Sequence, residues 1–364
     1  MEDIDCTDTL LVLGNGFDLH CGLPSSFLDY YETVCRALLE NYYICFSNGA
    51  FEEAETLVTK SNNVINIWSL LMFIQFYARG SIYKILGVTD TNWFDIEDLI
   101  RLALTKDIHI FSKLEDYLRI VFDNLKVGCD NIRLKQYEGH RNNPYVVLPC
   151  LQHSKETNIY QYLMSELHKF ENSFKDYLTA KLNNNYYQRC YDFISELTDD
   201  VSEDVDILNF NYTRVNGYTN VHNQINIHGT LAESEVVIGI DSDEIKDPSL
   251  YQFTKTYRNL HRYKKPFELP KDIDNIIFYG HSLSDADFSY FYSLFDMYDL
   301  SNSNLKLMFE YSDYDDSVQK NEINHAKYVE QIYKMINKYS LKAKSDNNLL
   351  HRLLLEGRII IEKV

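Results

Sequence analysis

Seven short runs leave this chain few ways to fold: TLLVLG (9–14), DVDILNF (204–210), QINIHG (224–229), EVVIGI (235–240), NIIFYG (275–280), NLKLMFE (304–310) and GRIIIEK (357–363). Most are continuously apolar and do not alternate. Strands covered on both faces read this way, as in a parallel sheet flanked by helices. Between the first run and the rest the pattern changes. Ile159, Leu163, Leu167, Phe170, Phe174, Leu178 and Leu182 recur every three or four residues, one apolar stripe along a long helix. FIQFYARGSIYKIL (73–86) and FSKLEDYLRIVFDNL (111–125) carry the same period, and 128–158, with Gly139, Pro144 and Pro149, reads as a long loop. The expectation is an α/β fold, a mostly parallel, doubly wound sheet built from residues 1–50 and 200–364, with a large all-α insertion over 51–199. Near the end, Ser345 is expected to cap a helix over 349–356, with Gly357 as its C′ residue.

Charge narrows the partners. The chain holds 54 acidic and 35 basic residues, a net charge of −19. Phosphate backbones repel such a field, so nucleic acid is not an expected partner. The one dense basic stretch, RNLHRYKK (258–265), reads as a solvated face. No apolar run reaches the length of a membrane span, so no membrane partner is expected. The acidic start, MEDIDCTDTL, lacks the basic and apolar regions of a secretory signal, and the expected address is cytoplasmic. The seven cysteines include no CxxC pair, which fits free thiols and argues against structural zinc. Cys21 and Cys190 read as buried packing residues.

Four strand ends carry the chemistry. Gly14, Asn15, Gly16 and Phe17 form a glycine turn between a strand and a helix. Such a turn either presents N–H groups to a phosphate or simply supplies the backbone freedom for the turn. Leu19 stands where a dinucleotide fingerprint needs its third glycine, and no GK[ST] is present for a Walker A loop. Asn211 follows a strand and serves a ribose or water, or closes an Asx-turn. His228 precedes Gly229 at another strand end and is either a base or a hydrogen-bonded strand-end residue. Gly280, Ser282, Ser284, Asp285 and Asp287 follow a fourth strand, suited to a nucleotide sugar or to helix capping. Asp18 is a charge-stabilising group or a helix N-terminal acid, and Glu97 a site residue or a solvent-facing first-turn residue.

Together GNGFDLHCGLPSSF, LNFNYTRV, INIHGTL and YGHSLSDADFSYF resemble the AbiH family, the bacterial abortive-infection proteins of phage defence. NWFDIEDL (92–99), with Trp93 and Glu97, is similar to a further element of that family. More distantly, the same segments resemble the sirtuin-like NAD-binding fold. GNG at 14–16 matches its opening glycine turn, Asn211 its asparagine, His228 its catalytic histidine, and Gly280 and Ser282 its later Gly-x-Ser.

The resemblance implies a Rossmann-like sheet with NAD as substrate and no metal, and hydrolysis to ADP-ribose and nicotinamide. In that scheme His228 is the base, Asn211 holds the water or ribose, and Asp18 stabilises charge on the ribose. Gly14, Asn15 and Gly16 hold the pyrophosphate and Ser282 and Asp285 the adenosine ribose, with Phe17 and Gly280 completing the cofactor-binding set. Deacylation is not implied, because the four-cysteine zinc module is missing and Pro24-Ser25-Ser26-Phe27 replaces Pro-Asp-Phe-Arg. A silent homo-oligomer triggered by a phage protein is the implied regulation. The competing readings are a non-catalytic NAD or ADP-ribose sensor, a metal-dependent nuclease using Asp18, Glu97 and Asp285, and an interaction protein with a surface rich in its 29 tyrosines.

Overall fold

The computed structural model describes residues 9–47, 50–77, 96–105, 159–198, 205–215, 221–233, 235–242, 245–262, 268–284, 287–312, 318–342 and 348–364. The expected helix over 111–125, the loop over 128–158, Trp93, Asp285 and Ser345 lie outside these residues.

Six of the seven apolar runs become strands of one parallel sheet: β1 (Thr9–Leu13), β2 (Val205–Asn209), β3 (Val221–Asn226), β4 (Asn275–Tyr279), β5 (Lys306–Tyr311) and β6 (Ile359–Lys363). Their spatial order is β3-β2-β1-β4-β5-β6, with every pairing parallel. The chain therefore builds outward from β1 in one direction, then returns to build from β4 in the other. The helices that follow β1 and β4 leave for opposite faces of the sheet at this reversal, the place where open α/β sheets bind ligands.

The helices are α1 (Asn15–His20), α2 (Phe27–Tyr30), α3 (Arg36–Ser47), α4 (Phe51–Lys60), α5 (Ile67–Tyr77), α6 (Ile96–Thr105), α7 (Ile159–Lys181), α8 (Asn184–Leu197), α9 (Lys255–Arg262), α10 (Phe288–Met297), α11 (Val318–Lys342) and α12 (Leu349–Leu355). They cover both sheet faces. Leu10 and Val12 point into a core completed by Phe291 and Phe295 of α10 and Met335 and Ile336 of α11. Leu11 and Leu13 point the other way, onto Phe17 of α1 and Cys190 and Phe193 of α8. All four β1 side chains are fully buried, each contributing about 1.5–3 kcal/mol of transfer free energy. This is the physical content of the unbroken apolar runs.

A third core joins Tyr30 and Tyr31 to α5, α6 and α7, and takes in Val236, Ile238 and Phe253. The predicted stripe on α7 faces it through Leu163, Leu167, Phe170, Phe174 and Leu178. Trp68 of α5 donates from Nε1 to the Leu163 carbonyl at 3.2 Å. Glu166 of α7 accepts the Ile67 N–H at 3.0 Å, which caps the start of α5.

Residues 235–240 correct one expectation. They join no strand of the sheet, and among the described residues their one β-bridge is that between Ile240 and Thr254. Their amides have other acceptors: Val237 donates to the His228 carbonyl, Ile238 to Glu171 and Gly239 to Glu97. An apolar run specifies burial, and here burial comes from the helical core and not from strand neighbours.

Gly280 and Gly357 share φ = +67°, and they differ in surroundings. A Cβ at Gly280 would lie 2.4 Å from the Phe17 amide nitrogen, whereas one at Gly357 meets nothing within 4 Å. Gly357→Ala is expected to cost only the left-handed strain, about 1–2 kcal/mol. Gly280→Ala should cost about 1–3 kcal/mol more, from overpacking against backbone. Denaturant midpoints of the two variants check this, and equal losses would contradict the close approach.

Candidate active site at the carboxyl edge

The two glycine turns are joined to each other. Gly14 donates its N–H to the Tyr279 carbonyl at 2.9 Å, and Gly16 to the Gly280 carbonyl at 2.7 Å. Phe17 donates to the Gly14 carbonyl at 2.9 Å, and its ring is buried against α8. A Cβ on Gly14 would sit 2.3 Å from His281 Cα. Two of the three amides expected to cradle pyrophosphate, those of Gly14 and Gly16, are thus engaged within the fold, and the glycines are needed so that two turns can touch. Asn15 is exposed, and its Oδ1 accepts from the Ser25 hydroxyl at 2.5 Å. Ser282 is exposed beside the Gly280 turn.

Asn211 sits just past β2, with Asn209 Oδ1 accepting its N–H at 2.9 Å. Its Nδ2 donates to the Gly14 carbonyl at 2.9 Å, and its own carbonyl accepts from Asn226 Nδ2 at 2.8 Å. The carboxamide therefore pins the glycine turn in place. Asp18, one turn into α1, is buried beneath the same turn and accepts from Tyr186 Oη at 2.7 Å and Thr213 Oγ1 at 2.9 Å.

The charged centre lies around His228. This histidine is 4% exposed, and its Nε2 lies 3.2 Å from Asp287 Oδ1. The contact is too poorly aligned for a hydrogen bond, and both ring nitrogens lack one among the described residues. Asp287, at the N-terminus of α10, also has His281 Nε2 at 3.4 Å and Lys255 Nζ at 2.8 Å. Lys255 is 2% exposed and holds a second carboxylate, Glu97 Oε2, at 2.8 Å. Glu97 Oε1 accepts the Gly239 N–H at 3.3 Å. The aromatic edge of Phe210 packs against His228 and His281, with ring centroids 5.5 and 4.7 Å apart.

So the fold gathers His228, Asp287 and Glu97 from widely separated segments. It adds Lys255 and His281, which the sequence reading did not single out. A signal for His281 was present, because it directly follows a glycine at a strand's carboxyl end, as His228 directly precedes one. Lys255 carried no such signal, since a lysine opening a polar helix reads as solvated. The basic stretch after it is also only partly solvated, because Arg258 reaches buried Glu171.

Burial sets the electrostatics. It lowers the His228 pKa to about 4, with nearby Lys255 pushing the same way against Asp287, so the imidazole is neutral at pH 7. Burial opposes ionisation of Asp287 and of Lys255. Their mutual attraction reverses both effects, with Glu97 helping Lys255, and holds Asp287 well below and Lys255 well above the ordinary values. Burial raises Asp18 to about 7, against the hydrogen bonds from Tyr186 and Thr213.

Asp18 makes a stability prediction. Its folded-state pKa of about 7 exceeds the ordinary 3.8, so the folded chain binds the proton more tightly than the unfolded chain. Its contribution to stability is complete below about pH 4 and is lost as pH rises to about 7, by at most about 1.4 kcal/mol per pH unit. Asp18→Asn keeps an acceptor for Tyr186 and Thr213 and cannot ionise. Denaturant midpoints across this range are expected to show the variant gaining on the native chain as pH rises. Parallel profiles would reject the buried, raised carboxyl.

A family model described as bacteriophage abortive infection AbiH matches residues 10–309, well over half of the chain. No curated protein and no solved structure matches significantly. Among the described residues no helix is long and apolar enough to cross a membrane. The matched span runs from β1 into β5, through both glycine turns, Asn211, His228 and the Lys255 cluster, and so the chain belongs to the AbiH family, whose role is bacteriophage abortive infection.

Proposed function

We propose that this protein acts in abortive infection by binding NAD at the carboxyl edge of its sheet and hydrolysing it to ADP-ribose and nicotinamide. The observation that carries the reading is the buried set His228, Asp287, Lys255 and Glu97, with His281, beside the topological switch point. Buried charges and shifted pKa values at a ligand-binding edge are the usual physical mark of a reaction centre.

In the proposed reaction the bond between the ribose C1′ and the nicotinamide nitrogen breaks. Nicotinamide leaves with the electron pair as a neutral group. Water adds to the oxocarbenium-like C1′, and its proton passes to neutral His228 and then to solvent. Because C1′ is strongly electrophilic by then, a weakly basic imidazole suffices. Asp287 supplies negative charge 3.2 Å from the ring, and Asn211 acts by holding the Gly14 turn that faces the ligand. Asp18 steadies the same turn from below. Ser282 and Asn15 are the exposed polar groups offered to the ribose and phosphates, with Asp285 close to Ser282 in sequence.

His228 is almost fully buried, so turnover requires this edge to open. That fits a defence enzyme that is silent until a phage protein triggers it. The burial of His228 favours a second reading, a sensor that binds NAD or ADP-ribose without cleaving it. A nuclease finds less support. Asp18 is engaged by hydroxyls and Glu97 by Lys255.

The test is chromatography of NAD incubated with the purified protein, with and without extract from phage-infected cells, alongside calorimetry. ADP-ribose and nicotinamide in equal amounts support hydrolysis. Binding heat without product supports the sensor, and neither product nor heat in both conditions rejects the proposal.

A further inference from the structure

The turn after β4 holds a leucine in a conformation that leucines avoid. Leu283 has φ = +49°, in the left-handed region where a Cβ is crowded, and its side chain is fully buried in the core with Phe291 and Phe295. In this geometry its N–H donates to His281 Nδ1 at 2.9 Å. Backbone strain of this kind persists where the surroundings over-determine it, and it clusters at reaction centres. Here its consequence is chemical. An imidazole nitrogen that accepts an N–H carries no proton, so the ring proton of His281 sits on Nε2.

That proton faces Asp287. His281 Nε2 is 3.4 Å from Asp287 Oδ2, and His228 Nε2 is 3.2 Å from Oδ1 of the same carboxylate. Lys255 Nζ, which also holds Glu97, supplies the counter-charge 2.8 Å from Oδ1. The His281 ring packs nearly at right angles to Phe210 and Phe291, with centroids 4.7 and 5.0 Å away, which restrains it from turning aside. Two imidazoles therefore share one carboxylate, one at each oxygen. A nitrogen lone pair facing a carboxylate is repelled, and an N–H facing it is attracted. His228 thus keeps its proton on Nε2. Its Nδ1, buried with no hydrogen bond among the described residues, carries the lone pair.

We infer that His281 is a positioning residue: with its own proton confined to Nε2 it holds Asp287 between the two rings, and so fixes His228 in the tautomer whose free base is Nδ1. The step this serves rests on the hydrolysis reading. As water adds to C1′, one of its O–H bonds breaks and the proton goes to Nδ1, leaving an imidazolium whose Nε2–H faces Asp287. The tautomers themselves rest only on the geometry of the cluster.

Long-range proton–nitrogen NMR of isotope-labelled histidine rings reads which nitrogen carries the proton, and it needs neither ligand nor turnover. The two signals are assigned by their loss in His228→Ala and in the His281 variants. Both rings of the native chain are expected to be protonated at Nε2. His281→Gln keeps a donor at the reach of Nε2. His281→Asn keeps an acceptor for the Leu283 N–H and falls short of Asp287. His228 should hold its tautomer in His281→Gln and become a mixture of both in His281→Asn. In His281→Asn, kcat for NAD should also fall about tenfold at unchanged KM, the scale of one lost hydrogen bond to a charged group. A proton on Nδ1 of either ring in the native chain would overturn the inference, whether or not the variants fold. So would His281→Gln and His281→Asn leaving His228 in the same state. The expected tautomers without NAD turnover in the native chain would strike the hydrolysis reading alone and uphold the positioning of His228.

Discussion

Lys255→Met is expected to destabilise the protein by about 3–5 kcal/mol, because it leaves Asp287 and Glu97 buried with no counter-ion. The side chain is 2% exposed and its ammonium lies 2.8 Å from each carboxylate. Methionine matches the volume, so the loss reports charge and not packing. The thermal midpoint should fall by roughly ten degrees for a chain of this size. Adding Glu97→Gln and Asp287→Asn to Lys255→Met removes the orphaned charges and should recover much of the loss. Arg36 is the control. It also makes two contacts, 2.8 Å to Glu32 and 3.2 Å to Glu40, but with solvent-exposed partners, and Arg36→Ala should cost at most about 1 kcal/mol. A Lys255→Met loss no larger than that of Arg36→Ala would mean the cluster is not desolvated as described.

His228→Ala is the second large effect, expected on activity. Loss of a positioned base lowers turnover by about 10²–10⁴-fold, so NAD hydrolysis should fall to near background. The native pH profile carries an independent signature. A base acts when deprotonated, and His228 titrates at about 4 in the fold. The activity should therefore be level from about pH 6 upward, where an unperturbed histidine would still be losing its proton. Stability is linked to the same group. With the folded pKa depressed below the ordinary 6.5, its contribution is complete above about 6.5 and is lost as pH falls to about 4. His228→Ala removes that acid-side loss. An acid limb of activity near 6.5, or full activity in the variant, would remove His228 from the reaction.

The sheet was legible because its strands are buried on both faces, and an apolar run with no alternation says so directly. Leu10 to Leu13 are fully buried for that reason. The stripe on α7 was legible by the same kind of argument, through a period close to the helical turn. EVVIGI was misread because apolarity measures burial alone, and burial against a helical core leaves the same trace as burial in a sheet. The placing of Asn211 and His228 at strand ends also followed from the sequence. Their local partners did not, since Gly14 is 197 residues from Asn211 and Asp287 far from His228.

By itself, then, the amino-acid order determined which segments are inside, their periods, the parallel α/β class and the family. Each of these depends on neighbours within a few residues or on motifs read in order. Only the folded chain decided that the two glycine turns engage each other's backbone, and that a lysine from α9 joins a glutamate from α6 to an aspartate at α10. Ion pairing and close approach depend on distance in space, and desolvation then sets the charge of His228 and Asp18. Neither quantity is written in the local sequence.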